Sequence, residues 1–215
     1  MGRKKNITKE YLITSFMNFV LENNHKPTSV YKFAKEHNFE EAHFYEYFGS
    51  FEAIEEAVFS EFFHHTMTTL SKSDEFDTFD ARNKLLSFYF TFFEILTANR
   101  SYLKYALDGD LKKYSVLKHL KKNFTDFINT LEIDQISIPN EQIEKIQHKT
   151  KQESAWFQLL ITLKFWLDDT SPSFEKTDIF IEKSVNAGFD LMDTTPLKNV
   201  IDFGKFILKE KVMFQ

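Results

Sequence analysis

Residues 28–52, TSVYKFAKEHNFEEAHFYEYFGSFE, decide how this chain folds. Thr28 or Ser29 supplies the N-cap of a helix holding Val30, Phe33 and Ala34, since a hydroxyl there accepts from the free amides of the first turn. His37 and Asn38 make the turn, Asn being comfortable in the left-handed conformation that ends helices. A third, shorter helix is expected over roughly residues 40–47; Gly49 stops it and Ser50 caps a fourth. Two short helices joined by a tight turn are the layout of a helix-turn-helix, which sets a helix in the DNA major groove. Yet the helix that would touch DNA carries Glu40, Glu41 and Glu46. The pattern of elements and the pattern of charge point in opposite directions.

Outward from this stretch the chain continues to read as helix. Upstream, Thr8 caps a first helix with Leu12, Ile13, Phe16, Phe19 and Val20 on one side, a spacing of three and four. Downstream, Ile54, Val58, Phe62 and Phe63 mark the fourth helix, and Leu85, Phe88, Phe92, Phe93 and Leu96 mark a long one. A short helix is expected over 101–107, broken at Asp108-Gly109-Asp110, and another reaches about Thr130. LEIDQISIPNEQ reads as a loop. A strong helix follows to about Asp169, with Trp156, Leu159, Leu160, Leu163 and Trp166 on its apolar side. Ser171-Pro172 and Thr195-Pro196 each read as a helix start, because proline suits the first turn. The sum is an all-α chain of about ten helices, divided into a head over 1–50 and a larger body over 51–215.

Composition agrees. Five Gly and four Pro in 215 residues leave too little turn chemistry for a β-rich fold. With no Cys, disulfides, thiolate-bound zinc and thiol catalysis are excluded, and a reducing cytoplasm is the expected compartment. The basic cluster near the start precedes no apolar run, so no secretory signal is read. The longest apolar-rich run, residues 88–96, is far shorter than the ~20 residues a membrane span needs. The chain reads as soluble.

The net charge of −5 is not that of a general nucleic-acid binder. Local basic clusters occur at Arg3-Lys4-Lys5 and around Lys112, Lys113, Lys118, Lys121 and Lys122, the second reading as a solvated helix face.

Residues 7–63 resemble the DNA-binding end of the tetracycline-repressor (TetR) family. The resemblance rests on the apolar first helix, Thr28-Ser29-Val30, Phe33-Ala34, and Phe44-Tyr45-x-Tyr47-Phe48-Gly49-Ser50-x-Glu52. It implies a TetR-like three-helix head on a helical body that dimerises and encloses a small-molecule pocket. It further implies DNA contacts from Thr28, Ser29, Lys32, His43 and Tyr47, with Arg3, Lys4 and Lys5 as an arm on the backbone. The chain departs from that pattern in two places. Glu40-Glu41-Ala42-His43 replaces a small polar start, and Phe51 stands where a lysine usually contacts phosphate. Over 28–51, Lys32 and Lys35 face Glu36, Glu40, Glu41 and Glu46, a net −2. Such a deficit opposes phosphate neutralisation, although a glutamate can accept from cytosine N4. Two readings therefore stand: a head that reads DNA, and a head that keeps the fold without the function.

Residues 155–190, with WLDDTSPSFEKT at their centre, are similar to the C-terminal part of the lipid-binding protein of coenzyme Q biosynthesis. That likeness implies an isoprenoid- or lipid-binding accessory protein that has lost DNA binding. Capping alone explains much of the same motif: Ser171 as cap, Pro172 in the first turn and Glu175 on the helix dipole. The last expected helix, residues 196–214, carries Leu197, Val200, Ile201, Gly204, Ile207 and Leu208 as one stripe beside several lysines. Such a helix packs on protein or lies on a membrane surface, and a membrane contact is expected only through it.

Phe62, Phe63, Phe88, Phe92, Phe93, Trp156, Leu160 and Leu163 are the expected pocket lining, and so many aromatics imply a small apolar ligand. The same spacing also describes plain core. The seven His are scattered, and no metalloprotease motif, phosphate loop or nucleophile elbow occurs. Neither metal, cofactor nor catalysis is expected. The leading reading is a homodimeric, ligand-responsive DNA-binding regulator.

Overall fold

A computed structural model describes residues 6–107, 111–133 and 141–193. Among them the secondary structure is entirely helical. The elements are α1 (Lys9–Asn23), α2 (Val30–Glu36), α3 (Glu41–Tyr45), α4 (Phe51–Leu70), α5 (Ala81–Ala98), α6 (Arg100–Leu107), α7 (Lys118–Thr130), α8 (Glu141–Asp168) and α9 (Glu175–Asp193). Short 3-10 turns precede α5, α7 and α9. The expected tenth helix lies outside the described residues.

The caps form where the sequence places them. The Thr8 hydroxyl accepts from the Tyr11 amide at 3.1 Å, and Asn24 closes α1 in the left-handed region at φ 56°. Ser29, rather than Thr28, caps α2 by accepting from the Lys32 amide. Asn38 makes the following turn at φ 56°. Ser50 accepts from Ala53 and starts α4. Glu52 in that first turn is held below the usual carboxylate range by the backbone amides and by Ser50.

The chain gathers into two compact units. The first takes Met1–Thr69 with Phe92–Asn123, and the second takes Leu70–Thr91 with Phe124–Gln215. In the first unit Phe33 is the hub of the head. It is fully buried and meets Phe19, Phe39, Phe44 and Phe51 edge-on at 5.7–6.4 Å between ring centres. Edge-to-face contacts suit the ring quadrupoles and add to the gain from burial. α6 packs on α1. Ion pairs Lys9–Glu61 (2.6 Å) and Lys26–Glu55 (2.5 Å) tie α1 and the loop after it to α4.

In the second unit, Phe88 lies 5.3 Å from Phe124 and 5.1 Å from Phe127, with Trp156 beyond Phe124. α8 packs on α9 through fully buried Trp166 and a stacked Phe165–Phe180 pair 4.6 Å apart.

The start of α9 differs from the sequence expectation. Pro172 does not sit in the first turn of the α-helix: Pro172–Phe174 forms a 3-10 turn, and Ser173 and Phe174 take φ values of 52° and 59°. Asp169 organises this corner. Its carboxylate accepts from the amide and hydroxyl of both Ser171 and Thr177, at 2.7–3.0 Å. Ser171 still accepts from the Lys176 amide at 3.2 Å in the first turn of α9, as the sequence expects, while the Asp169 carboxylate holds Ser171 and Thr177 by charge-assisted bonds.

Candidate nucleic-acid interface

The helix-turn-helix is α2, the turn at His37–Asn38, and α3. Its inner face is aromatic: Phe33 and Phe44 are fully buried and Phe48 nearly so. That packing leaves the residues between them on the outside. Thr28 and Lys32 are exposed, and Ser29 is half-buried because its hydroxyl is spent on the cap. The His43 ring is half-buried, with Nδ1 3.3 Å from the Glu40 carbonyl. The Tyr47 hydroxyl donates to the Ile7 carbonyl at 3.4 Å, fastening the end of this unit to the segment before α1. Arg3, Lys4 and Lys5 lie outside the described residues.

Two further outward residues escaped the sequence reading. Tyr31 and Tyr45 are 60% and 54% exposed, more than any other aromatic of the head. The signal was present, since each falls off the Phe33–Phe44 side of its helix. Tyr45 donates to the Glu41 carboxylate at 3.4 Å. Phe51, which stands where a lysine was expected, turns inward and stacks on Phe16 at 5.8 Å, touching Phe33 and Phe44 as well. Where a phosphate contact is absent, the head thus gains a half-buried ring in its aromatic cluster.

The eight residues expected to line a pocket divide between the units. Phe62, Phe63, Phe92 and Phe93 are buried in the first; in the second Phe88 and Leu163 are buried, and Trp156 and Leu160 half-buried. A cleft of about 670 Å³ in the first unit is built from other residues. Its wall includes Val20 and Leu21 from α1, Glu52, Glu55 and Glu56 from α4, and Lys104 and Tyr105 from α6. Glu55 is almost fully buried there and paired with Lys26.

Residues 84–207, more than half of the chain, match the family described as tetracyclin repressor-like, C-terminal domain. The chain belongs to the TetR family. This match falls on the half of the chain that does not contain the helix-turn-helix, so head and body lead to one family from separate residues. No curated protein matches the chain.

For a TetR-family regulator, two features of the second unit stand out. α8 leaves Phe157 and Ile161 exposed, with Phe165 half-buried at the next step of four; α9 leaves Ile179 exposed and Phe180 half-buried. Phe157, Ile161 and Phe165 thus form an apolar stripe at helical spacing along α8. Among the described residues no group of His, Asp and Glu could hold a metal ion. None of the described helices is long and apolar enough to cross a membrane.

Proposed function

We propose that the chain is a ligand-responsive, homodimeric DNA-binding regulator. The observation that carries this reading is the intact helix-turn-helix, capped by Ser29 and turned at Asn38, on a chain whose body is of the TetR family. Lys32 and the exposed Tyr31 hydroxyl meet the phosphate backbone, where hydroxyl and ammonium donors position a protein on DNA, with the Tyr47 ring beside them. Thr28, Ser29 and His43 complete the contact, with Arg3, Lys4 and Lys5 as a basic arm. The stripe of Phe157, Ile161 and Ile179 pairs with its copy in a second chain, since an isologous interface uses the same patch twice. A small apolar ligand among the aromatic residues of the body shifts the population between forms that do and do not fit two half-sites.

One observation favours a second reading, a lipid- or isoprenoid-binding accessory protein that does not bind DNA: α3 and its flanks, residues 39–48, hold three glutamates and no Lys or Arg. Genomic DNA fragments captured by the purified protein at low salt separate the two. Enrichment of discrete sites, with affinity falling steeply as salt rises, supports the regulator. Absence of any enriched site, together with binding to liposomes, moves the chain to the second reading.

A further inference from the structure

The outward face of α3 has an unusual chemistry for a reading helix. Across residues 39–48 there is no Arg, Lys, Asn or Gln. The common bidentate readers of guanine and adenine are thus missing. What the face does offer is acceptors. Glu40 is exposed at the position before α3, takes extended backbone angles (φ −82°, ψ 139°) and forms no capping hydrogen bond through its side chain. Its carbonyl closes the first turn by accepting from the His43 amide at 2.9 Å. The backbone of Glu40 is thus fixed by the helix while its carboxylate is not spent on it. Glu41 differs: it is half-buried and takes the Tyr45 hydroxyl at 3.4 Å. Glu46 is exposed at the opposite end, where the chain leaves the helix.

A carboxylate presented to the major groove can only accept. Guanine offers acceptors at N7 and O6 and thymine an acceptor at O4, so both repel it. Cytosine offers the N4 amino group as a donor with no acceptor on the same base edge, whereas adenine carries the N7 acceptor next to its N6 donor. The base that best matches an unpaired carboxylate is cytosine. We infer that Glu40 is a specificity-determining residue that selects a cytosine in each half-site, while Glu41 is held back by Tyr45. This inference rests on the regulator reading above. It also explains why acidic residues are tolerated there: the charge that weakens binding to arbitrary DNA is offset only where an amino group meets it.

The test is selection from a random duplex pool at low salt with the full-length chain, comparing wild type, Glu40→Gln and Glu41→Gln, each checked for an unchanged melting temperature. Wild type should enrich half-sites with one invariant cytosine, and replacing that base should weaken binding roughly tenfold. Glu40→Gln should lose the cytosine, drift toward adenine, and bind unrelated DNA at least as tightly as wild type because a negative charge is gone. Glu41→Gln should keep the cytosine. Sites enriched without a cytosine preference, or a cytosine preference that survives Glu40→Gln, would overturn the assignment while leaving the regulator reading intact. A pool with no enriched sequence for any of the three proteins would overturn both.

Discussion

At the corner between α8 and α9, the Asp169 carboxylate holds Thr177 twice, by its backbone amide at 3.0 Å and by its hydroxyl at 2.7 Å. The same carboxylate holds the amide and hydroxyl of Ser171. Burial pushes this carboxyl up, but four hydrogen bonds from Thr177 and Ser171 outweigh it and hold the group well below the usual carboxylate range. Asp169→Ala leaves those donors without an acceptor and should cost about 2–3 kcal/mol in denaturant unfolding near neutral pH. Because the folded pKa is depressed, this contribution is complete above the ordinary Asp range of about 4 and is lost as pH falls through the folded value. The gap between wild type and variant should therefore narrow in strong acid. A gap that stays constant down the acid limb would contradict the assignment.

Phe51 packs against Phe16, Phe33 and Phe44 instead of reaching toward phosphate. Phe51→Lys, although it adds the charge that DNA binding favours, should lower stability by about 2–4 kcal/mol, in the range of aromatic core deletions. Thermal unfolding of the full chain reads this directly. A variant with unchanged melting temperature would mean that the aromatic cluster does not depend on this ring.

Lys26 covers a carboxylate that is only 4% exposed, Glu55. Lys26→Met removes one partner of a largely desolvated pair and should cost about 2 kcal/mol, less than a fully buried pair because the ammonium itself is part-exposed. Adding Glu55→Gln should recover part of that loss, so the double-mutant cycle should give a coupling energy of about 1–2 kcal/mol. Additive single effects would show the contact to be energetically idle.

The exposed stripe on α8 and α9 sets an assembly test. Light scattering on the purified chain should give twice the 25.6 kDa chain mass. Phe157→Glu, at a site 63% exposed, should leave the secondary structure intact while shifting the mass toward one chain. A wild-type protein that is monomeric at micromolar concentration would refute the homodimer.

Lys32 is the exposed cation of α2 nearest its capped end. Lys32→Ala should weaken DNA binding by a similar factor on every sequence and reduce the salt slope by about 1, as loss of one phosphate contact does. A change confined to one operator would assign Lys32 to a base instead.

Much of this molecule was legible in its residues. The first helix, the Ser29 and Ser50 caps and the Asn38 turn all follow from local chemistry: three-and-four spacing, a hydroxyl before a helix, and a residue that tolerates positive φ. The TetR resemblance read from the head agrees with a family match on the body. The start of α9 was legible only in part, for a physical reason. The Ser171 hydroxyl does accept from the Lys176 amide, but Pro172 lies in a 3-10 turn before α9, and Asp169, two residues before Ser171, adds an acceptor for Ser171 and Thr177 that local pattern did not single out. A sequence displays candidate acceptors without ranking them.

Local pattern by itself therefore determined the helices, their order and the presence of a helix-turn-helix, because each depends on residues within a few positions of one another. Only the tertiary structure decided what the outliers do. Phe51 joined the aromatic cluster, half-buried, because three other rings converge on it from α1, α2 and α3. Glu41 was drawn to Tyr45, whereas Glu40 kept an exposed carboxylate that takes no part in capping. The place of Phe51 hinges on which rings meet in space around Phe33, whereas the Glu41–Tyr45 contact is four residues apart on one helix and differs from Glu40 through local geometry.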